Sequence, residues 1–170
     1  MNILYYKEPK SVIGGVDNVA YYLSKALAKK VNITYFPSFT PKKGCLVNLL
    51  NVYRKFVTKE FDILHFSLIP SWIDGSYMLL RFAKIRGAHT VLNIHDIIPL
   101  EHKLEPMLGP TSSLDLLNTL RFCNSADRIV VNSEYMHTNV VTWYRINREK
   151  IVVIPNGVDL RRFSGCDERL

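Results

Sequence analysis

Six short runs of apolar, β-branched or aromatic residues punctuate the chain, and between them apolar positions recur at helical spacing. NILYY (Asn2–Tyr6), VNITYF (Val31–Phe36), DILHF (Asp62–Phe66), TVLNI (Thr90–Ile94), RIVV (Arg128–Val131) and IVVI (Ile151–Ile154) are largely apolar on both faces. That is the pattern of strands covered on both sides, as in a parallel sheet. Val16, Val19, Ala20, Leu23, Ala26 and Leu27 follow the i, i+3, i+4, i+7 stripe of an amphipathic helix. Lys25, Lys29 and Lys30 crowd its C-terminal end, where cations suit the helix dipole. Further helices are expected over 72–83, 114–123 and 134–143. Strand and helix therefore alternate, which predicts an α/β, doubly wound, mainly parallel sheet with helices on both faces.

This architecture says where to look for chemistry, because ligands of open α/β sheets sit beyond the carboxyl ends of the strands. Four loops at such ends carry distinctive residues: Gly14-Gly15, His65 with Ser67, His95-Asp96, and Asn156 to Asp159. A glycine pair before a helix lets backbone N–H groups approach an anion such as a diphosphate; it equally serves as a turn that starts the helix. It matches neither the dinucleotide nor the P-loop fingerprint. His95 is placed to donate a hydrogen bond to a sugar hydroxyl or phosphate, or to shift protons near neutral pH; it equally reads as a histidine that caps its strand or bonds a backbone carbonyl. His65 reads as a partly buried structural histidine or as a second member of the same cleft. Ser133 fits an N-cap, with Glu134 opening the helix where an acid suits the dipole.

Composition narrows the classes. With 170 residues, 48% hydrophobic and 22% charged, the chain has enough apolar matter for one globular domain and too little charge for a disordered one. No stretch approaches the roughly 20 apolar residues that span a bilayer, and MNILYYKEPK reads as a strand rather than a secretory leader. Cys45, Cys123 and Cys166 are odd in number and lack CxxC spacing, which suits a reducing, cytoplasmic location. His95-Asp96 with Glu101, His102 and Glu105 matches no zinc spacing, so no metal site is expected. The net charge of +7 favours phosphate-bearing or anionic partners. Leu46, Leu49, Leu50, Tyr53 and Val57, flanked by Lys42, Lys43, Arg54, Lys55 and Lys59, describe a basic amphipathic helix. It suits either the sheet or an anionic surface, peripherally at the inner face of a membrane. No module for nucleic acid is recognisable.

Taken in order, GGV at 14–16, DILHFS at 62–67, HD at 95–96, ADRIVVNSEYM at 126–136 and IVVIPNGVDLRRF at 151–163 resemble the N-terminal half of group 1 type glycosyltransferases. These are retaining enzymes of the GT-B architecture, with two Rossmann-like domains facing across a cleft. The resemblance spans essentially the whole chain, and its most specific element is IPNGVD with a Phe four residues after the Asp. It implies that Gly14 and Gly15 approach the donor diphosphate and that His95 faces the transferred sugar and stabilises charge. Asp96 would fix its loop or bind a hydroxyl. Asn156, Gly157 and Asp159 would line the cleft floor near a hinge, with His65, Ser67 and Glu134 on the acceptor side. The family needs no metal and no cofactor; the nucleotide-sugar donor is a substrate, passed to a sugar or lipid-linked acceptor. One departure is KKVNITYF, where the family commonly has a Gly-His-Glu step. The other is that the donor-binding second domain, with its pair of spaced glutamates, is not in this sequence. The expected layout is an acceptor-side domain over 1–163 and the start of a linker over 164–170, a half inactive alone. The rival readings are a non-catalytic subunit that recruits acceptor or membrane to a split glycosyltransferase, and a GT-B-type sugar-nucleotide epimerase.

Overall fold

The computed structural model describes residues 1–6, 15–36, 61–70, 76–96 and 111–157. Within them the order is β1 (Asn2–Tyr6), α1 (Gly15–Ala28), β2 (Asn32–Phe36), β3 (Ile63–Phe66), α2 (Ser76–Ile85), β4 (His89–Ile94), α3 (Thr111–Ser125), β5 (Arg128–Val131), α4 (Glu134–Tyr144), a 3-10 turn (Arg148–Lys150) and β6 (Ile151–Val153). All six expected strands are present. The basic amphipathic segment from Lys42 to Lys59 lies outside the described residues.

The strands form one sheet in the order β2-β1-β3-β4-β5-β6, every neighbouring pair parallel. The chain steps from β1 to β2 in one direction, then crosses back over β1 to β3 and continues to β6. Right-handed crossovers must then put α1 on one face and α2, α3 and α4 on the other. The packing agrees. Leu64, Phe66, Leu92, Ile94, Ile129 and Val131 share a buried cluster with Leu80 and Ala83 of α2, Phe122 of α3 and Val140 of α4. On the opposite face the Tyr5 hydroxyl reaches the Ala20 carbonyl of α1 at 3.4 Å. Helices thus flank both faces of an all-parallel sheet.

Element ends depart from the sequence pattern by a few residues, for identifiable reasons. α2 runs two residues past Ala83 and closes at Gly87, whose φ of +76° is the left-handed conformation glycine tolerates. Gly87 N–H donates to the Lys84 carbonyl and Ala88 N–H to the Ala83 carbonyl, each at 3.0 Å, which together form a Schellman closure. α3 reaches Ser125, whose carbonyl accepts from Lys84 Nζ at 2.8 Å. β6 ends at Val153, although Ile154 N–H still donates to the Val131 carbonyl at 2.8 Å. The 3-10 turn had no signature in the hydrophobic pattern; Asn147 Oδ1 caps it by accepting from Glu149 N–H at 3.0 Å. Ser133 is the N-cap of α4 as expected, its hydroxyl accepting from Met136 N–H at 3.2 Å.

Asp127 ties the amino edge of the sheet together. Its carboxylate accepts from Thr90 N–H, Thr90 Oγ1 and Lys84 Nζ, each at 2.8 Å, and its own N–H donates to Thr90 Oγ1 at 3.0 Å. Burial works against the charge, but the bonds from Lys84 and Thr90 outweigh it and hold the carboxyl below the usual range. Joining α2, β4 and the start of β5 is a structural task, carried out at the end of the sheet away from the candidate site.

Candidate functional site

The reversal in strand order between β1 and β3 opens a crevice at their carboxyl ends, the place where doubly wound sheets bind ligands. Registration across the sheet sets Tyr5 beside His65. Alternation along β3 and β4 then places Asn93 on that same face, with Ser67 and His95 just past the strand ends. The Tyr5 and His65 rings stack at 4.6 Å between centroids, tilted by 36°. Tyr35 of β2 meets Tyr5 edge-on at 6.0 Å. Burial raises the Tyr5 phenol to about 12, partly offset by a bond with the Ser67 hydroxyl. It is a neutral hydrogen-bonding group near pH 7.

His95 is held by its backbone surroundings. Its Nε2 lies 2.9 Å from the Ser67 carbonyl oxygen. A carbonyl only accepts, so Nε2 carries the proton of this bond. In the neutral ring Nδ1 is then the lone-pair nitrogen, and it has no hydrogen-bond partner among the described residues. Neutral His95 therefore offers an acceptor to a ligand; imidazolium alone would offer a second donor there. A hydroxyl and a phosphate are both open as partners from the sequence; a lone pair at Nδ1 suits a hydroxyl.

Beneath His95 two polar side chains are buried. His65 is 7% exposed and Asn93 5%. Burial lowers the His65 pKa to about 4; a hydrogen bond with the Asn93 side chain opposes that fall and the charge of His95 adds to it. Among the described residues no other group lies within hydrogen-bond reach of His65 Nδ1 or Asn93 Oδ1, so these two buried side chains depend on each other. Asn139 Nδ2 on α4 has no hydrogen-bond partner among the described residues.

Of the residues singled out in the sequence, the structure brings His65, Ser67 and His95 together. Asp96 is exposed directly after His95, and Gly15 begins α1. Asn156 and Gly157 are exposed past β6, the edge strand, with β5 between it and β4. Glu134 is exposed in the first turn of α4. Gly14 and Asp159 lie outside the described residues, as do Cys45, Cys166, Glu101, His102 and Glu105. Among the described residues no cluster of three or more His, Cys, Asp or Glu side chains could hold a metal ion. Cys123 is free and wholly buried, its thiol pushed up to about 12 by burial, so it is inert. Pattern reading missed Tyr5 and Asn93. The available signal was a polar residue inside an otherwise apolar strand, the Asn of TVLNI.

The chain belongs to Glycosyltransferase Family 4, whose family model matches residues 30–162. No curated protein matches it. Among solved structures, sucrose-phosphate synthase from Thermosynechococcus elongatus superposes with a TM-score of 0.74 at 13% identity, over 94% of this chain and 49% of that one. A glycosyltransferase from Rickettsia africae ESF-5 gives 0.52 at 19% identity, over 99% of this chain and 46% of that one. At these identities the likeness shows the fold, a Rossmann-like unit of the GT-B kind. The chain spans about half the length of the structures it matches.

Proposed function

We propose that this chain is the acceptor-side lobe of a retaining glycosyltransferase that moves a sugar from a nucleotide-sugar donor to a sugar or lipid-linked acceptor. Family membership supports glycosyl transfer, and the observation that carries the finer reading is His95. It stands at the switch-point crevice with Nε2–H fixed on the Ser67 carbonyl and Nδ1 free to accept from a sugar hydroxyl. In retaining transfer the bond from the anomeric carbon to the diphosphate oxygen breaks, and the acceptor oxygen bonds to the same face of that carbon. The acceptor proton leaves with the departing diphosphate. The role given to His95 is to orient the transferred sugar and stabilise the charge that develops on it. Gly14, Gly15 and the start of α1 are assigned to the donor diphosphate, Asn156, Gly157 and Asp159 to the cleft floor, and Asp96 to a hydroxyl or its own loop. His65, Ser67 and Glu134 are assigned to the acceptor side. The reaction is proposed to need neither metal nor cofactor and to occur in the cytoplasm.

Neighbours twice as long suggest a second lobe that binds most of the donor. The second reading is a recruiting subunit that works with a separate catalytic chain. Incubating the chain with nucleotide sugars, alone and with a donor-binding lobe supplied, tests both. The expected result is transfer only in the combined system, with retained anomeric configuration and no loss in chelator. His95→Ala should lower kcat by about 10²-fold there. Turnover by the chain alone, or an inverted product, would overturn the first reading; unchanged kcat in His95→Ala would favour the recruiting subunit.

A further inference from the structure

His95 offers Nδ1 to a ligand only while the Ser67 carbonyl stays aimed at Nε2, so the residue that holds Ser67 matters. Ser67 directly follows β3 and is 3% exposed. Its carbonyl accepts from His95 Nε2–H at 2.9 Å, and its hydroxyl is bonded to the Tyr5 phenol. Tyr5 is on β1, in register with His65, and Ser67 comes two residues after His65 on the same face. The phenol has a single proton, which it donates to the Ala20 carbonyl of α1 at 3.4 Å. The Ser67 hydroxyl must then be the donor to the Tyr5 oxygen. At 3.4 Å the contact with Ala20 is weak. The ring itself is fixed by complete burial and by the His65 ring stacked 4.6 Å away.

We propose that Tyr5 is a positioning residue for the transfer: its oxygen anchors Ser67, Ser67 anchors His95 as the Nε2–H tautomer, and its proton ties both to α1. Tyr5, Ser67 and His95 come from β1, the end of β3 and the end of β4, so the bonds run across the switch-point crevice. The start of α1 is assigned to the donor diphosphate, and His95 to the sugar that the diphosphate carries. The bond that breaks lies between those two groups. A site that breaks it must hold both within about 0.5 Å of the productive geometry. Tyr5 meets the supports of both and, being wholly buried, touches no substrate. Packing alone would be served as well by phenylalanine; the oxygen is what the two bonds use. This rests on the proposed role of His95.

Tyr5→Phe keeps the ring, its burial and its stack on His65, and removes the oxygen. The first readout is the ring 15N spectrum of His95 in the 15N-labelled chain, taken at a pH where the ring is neutral. Wild type should show the Nε2–H tautomer in excess, and Tyr5→Phe should cut the tautomer ratio about fivefold, the worth of one hydrogen bond. Ser67→Ala removes the hydroxyl but keeps the carbonyl, so it should give the same ratio, and the double variant no further change. The second readout is kcat with the donor-binding lobe supplied, expected to be about tenfold lower in Tyr5→Phe with the donor KM little changed. An unchanged tautomer ratio would overturn the positioning role, and so would a shifted ratio with unchanged kcat. A loss of kcat in His95→Ala but not in Tyr5→Phe would overturn it too, while leaving the role of His95 standing. Unchanged kcat in both variants would overturn both. Should Tyr5→Phe not fold, Ser67→Ala and the wild-type spectrum decide, and an Nδ1–H ring in wild type ends the proposal.

Discussion

The two faces of the sheet do different work with similar strands. On one, Leu64, Phe66, Leu92, Ile94, Ile129 and Val131 meet three helices in a single apolar cluster. On the other, β1, β3 and β4 present Tyr5, His65, Val91 and Asn93, and β5 and β6 present Val130 and Val152. Among the described helices α1 alone lies there, and Val152 is 42% exposed. One face gathers most of the buried apolar packing, and the other gathers the polar side chains of Tyr5, His65 and Asn93.

Four measurements would break or sharpen that contrast. Phe66→Ala removes a fully buried ring that meets Phe122 at 5.3 Å and Tyr6 at 5.0 Å. It should cost about 3–5 kcal/mol in denaturant unfolding, and a loss under 1 kcal/mol would mean the apolar face is not the main support. His65 comes next. Its pKa falls from 6.5 to about 4 on folding, so below pH 6.5 the unfolded chain binds the proton that the folded chain refuses. Its contribution to stability is therefore intact above pH 6.5 and lost progressively down to about pH 4, by about 3 kcal/mol in all. The difference in stability between wild type and His65→Gln, followed from pH 7 to pH 4, reads this directly; parallel curves would show that His65 is not buried neutral.

Asp127→Ala strips the buried Thr90 hydroxyl and N–H of their shared acceptor and frees Lys84. A loss of about 2 kcal/mol is expected by chemical denaturation, with any binding of the proposed carbohydrate at the opposite end of the sheet unchanged. Altered binding would mean that the two ends are coupled. Val152→Thr should have the smallest effect, within about 0.5 kcal/mol, because its side chain is already largely in water. A larger loss in its melting curve would reveal a covering element on this face.

Much of the architecture was legible because strand and helix periods differ and each run was long enough to declare its own. β1 and β5 lie where the pattern put them, and α1 starts at Gly15, one residue before its apolar stripe. His95 could be found because a strand end followed by His-Asp is conspicuous in a doubly wound sheet. Tyr5 and Asn93 could not be found as site residues, since each sits inside an apolar run and reads as a tolerated irregularity. Asp127 presented only an acid before a strand; its partners Lys84 and Thr90 are 43 and 37 residues away in the chain.

The sequence alone determined the number and kind of elements, the buried character of the strands and the loops able to carry chemistry. Local periodicity and turn residues encode those properties. Tertiary structure decided which strands are neighbours, and with that the switch point between β1 and β3. It also decided that the Ser67 carbonyl accepts from His95 Nε2–H, and that His65 and Asn93 share one buried face of the sheet. Those outcomes depend on contacts between segments tens of residues apart, and only closure of the sheet brings such segments together.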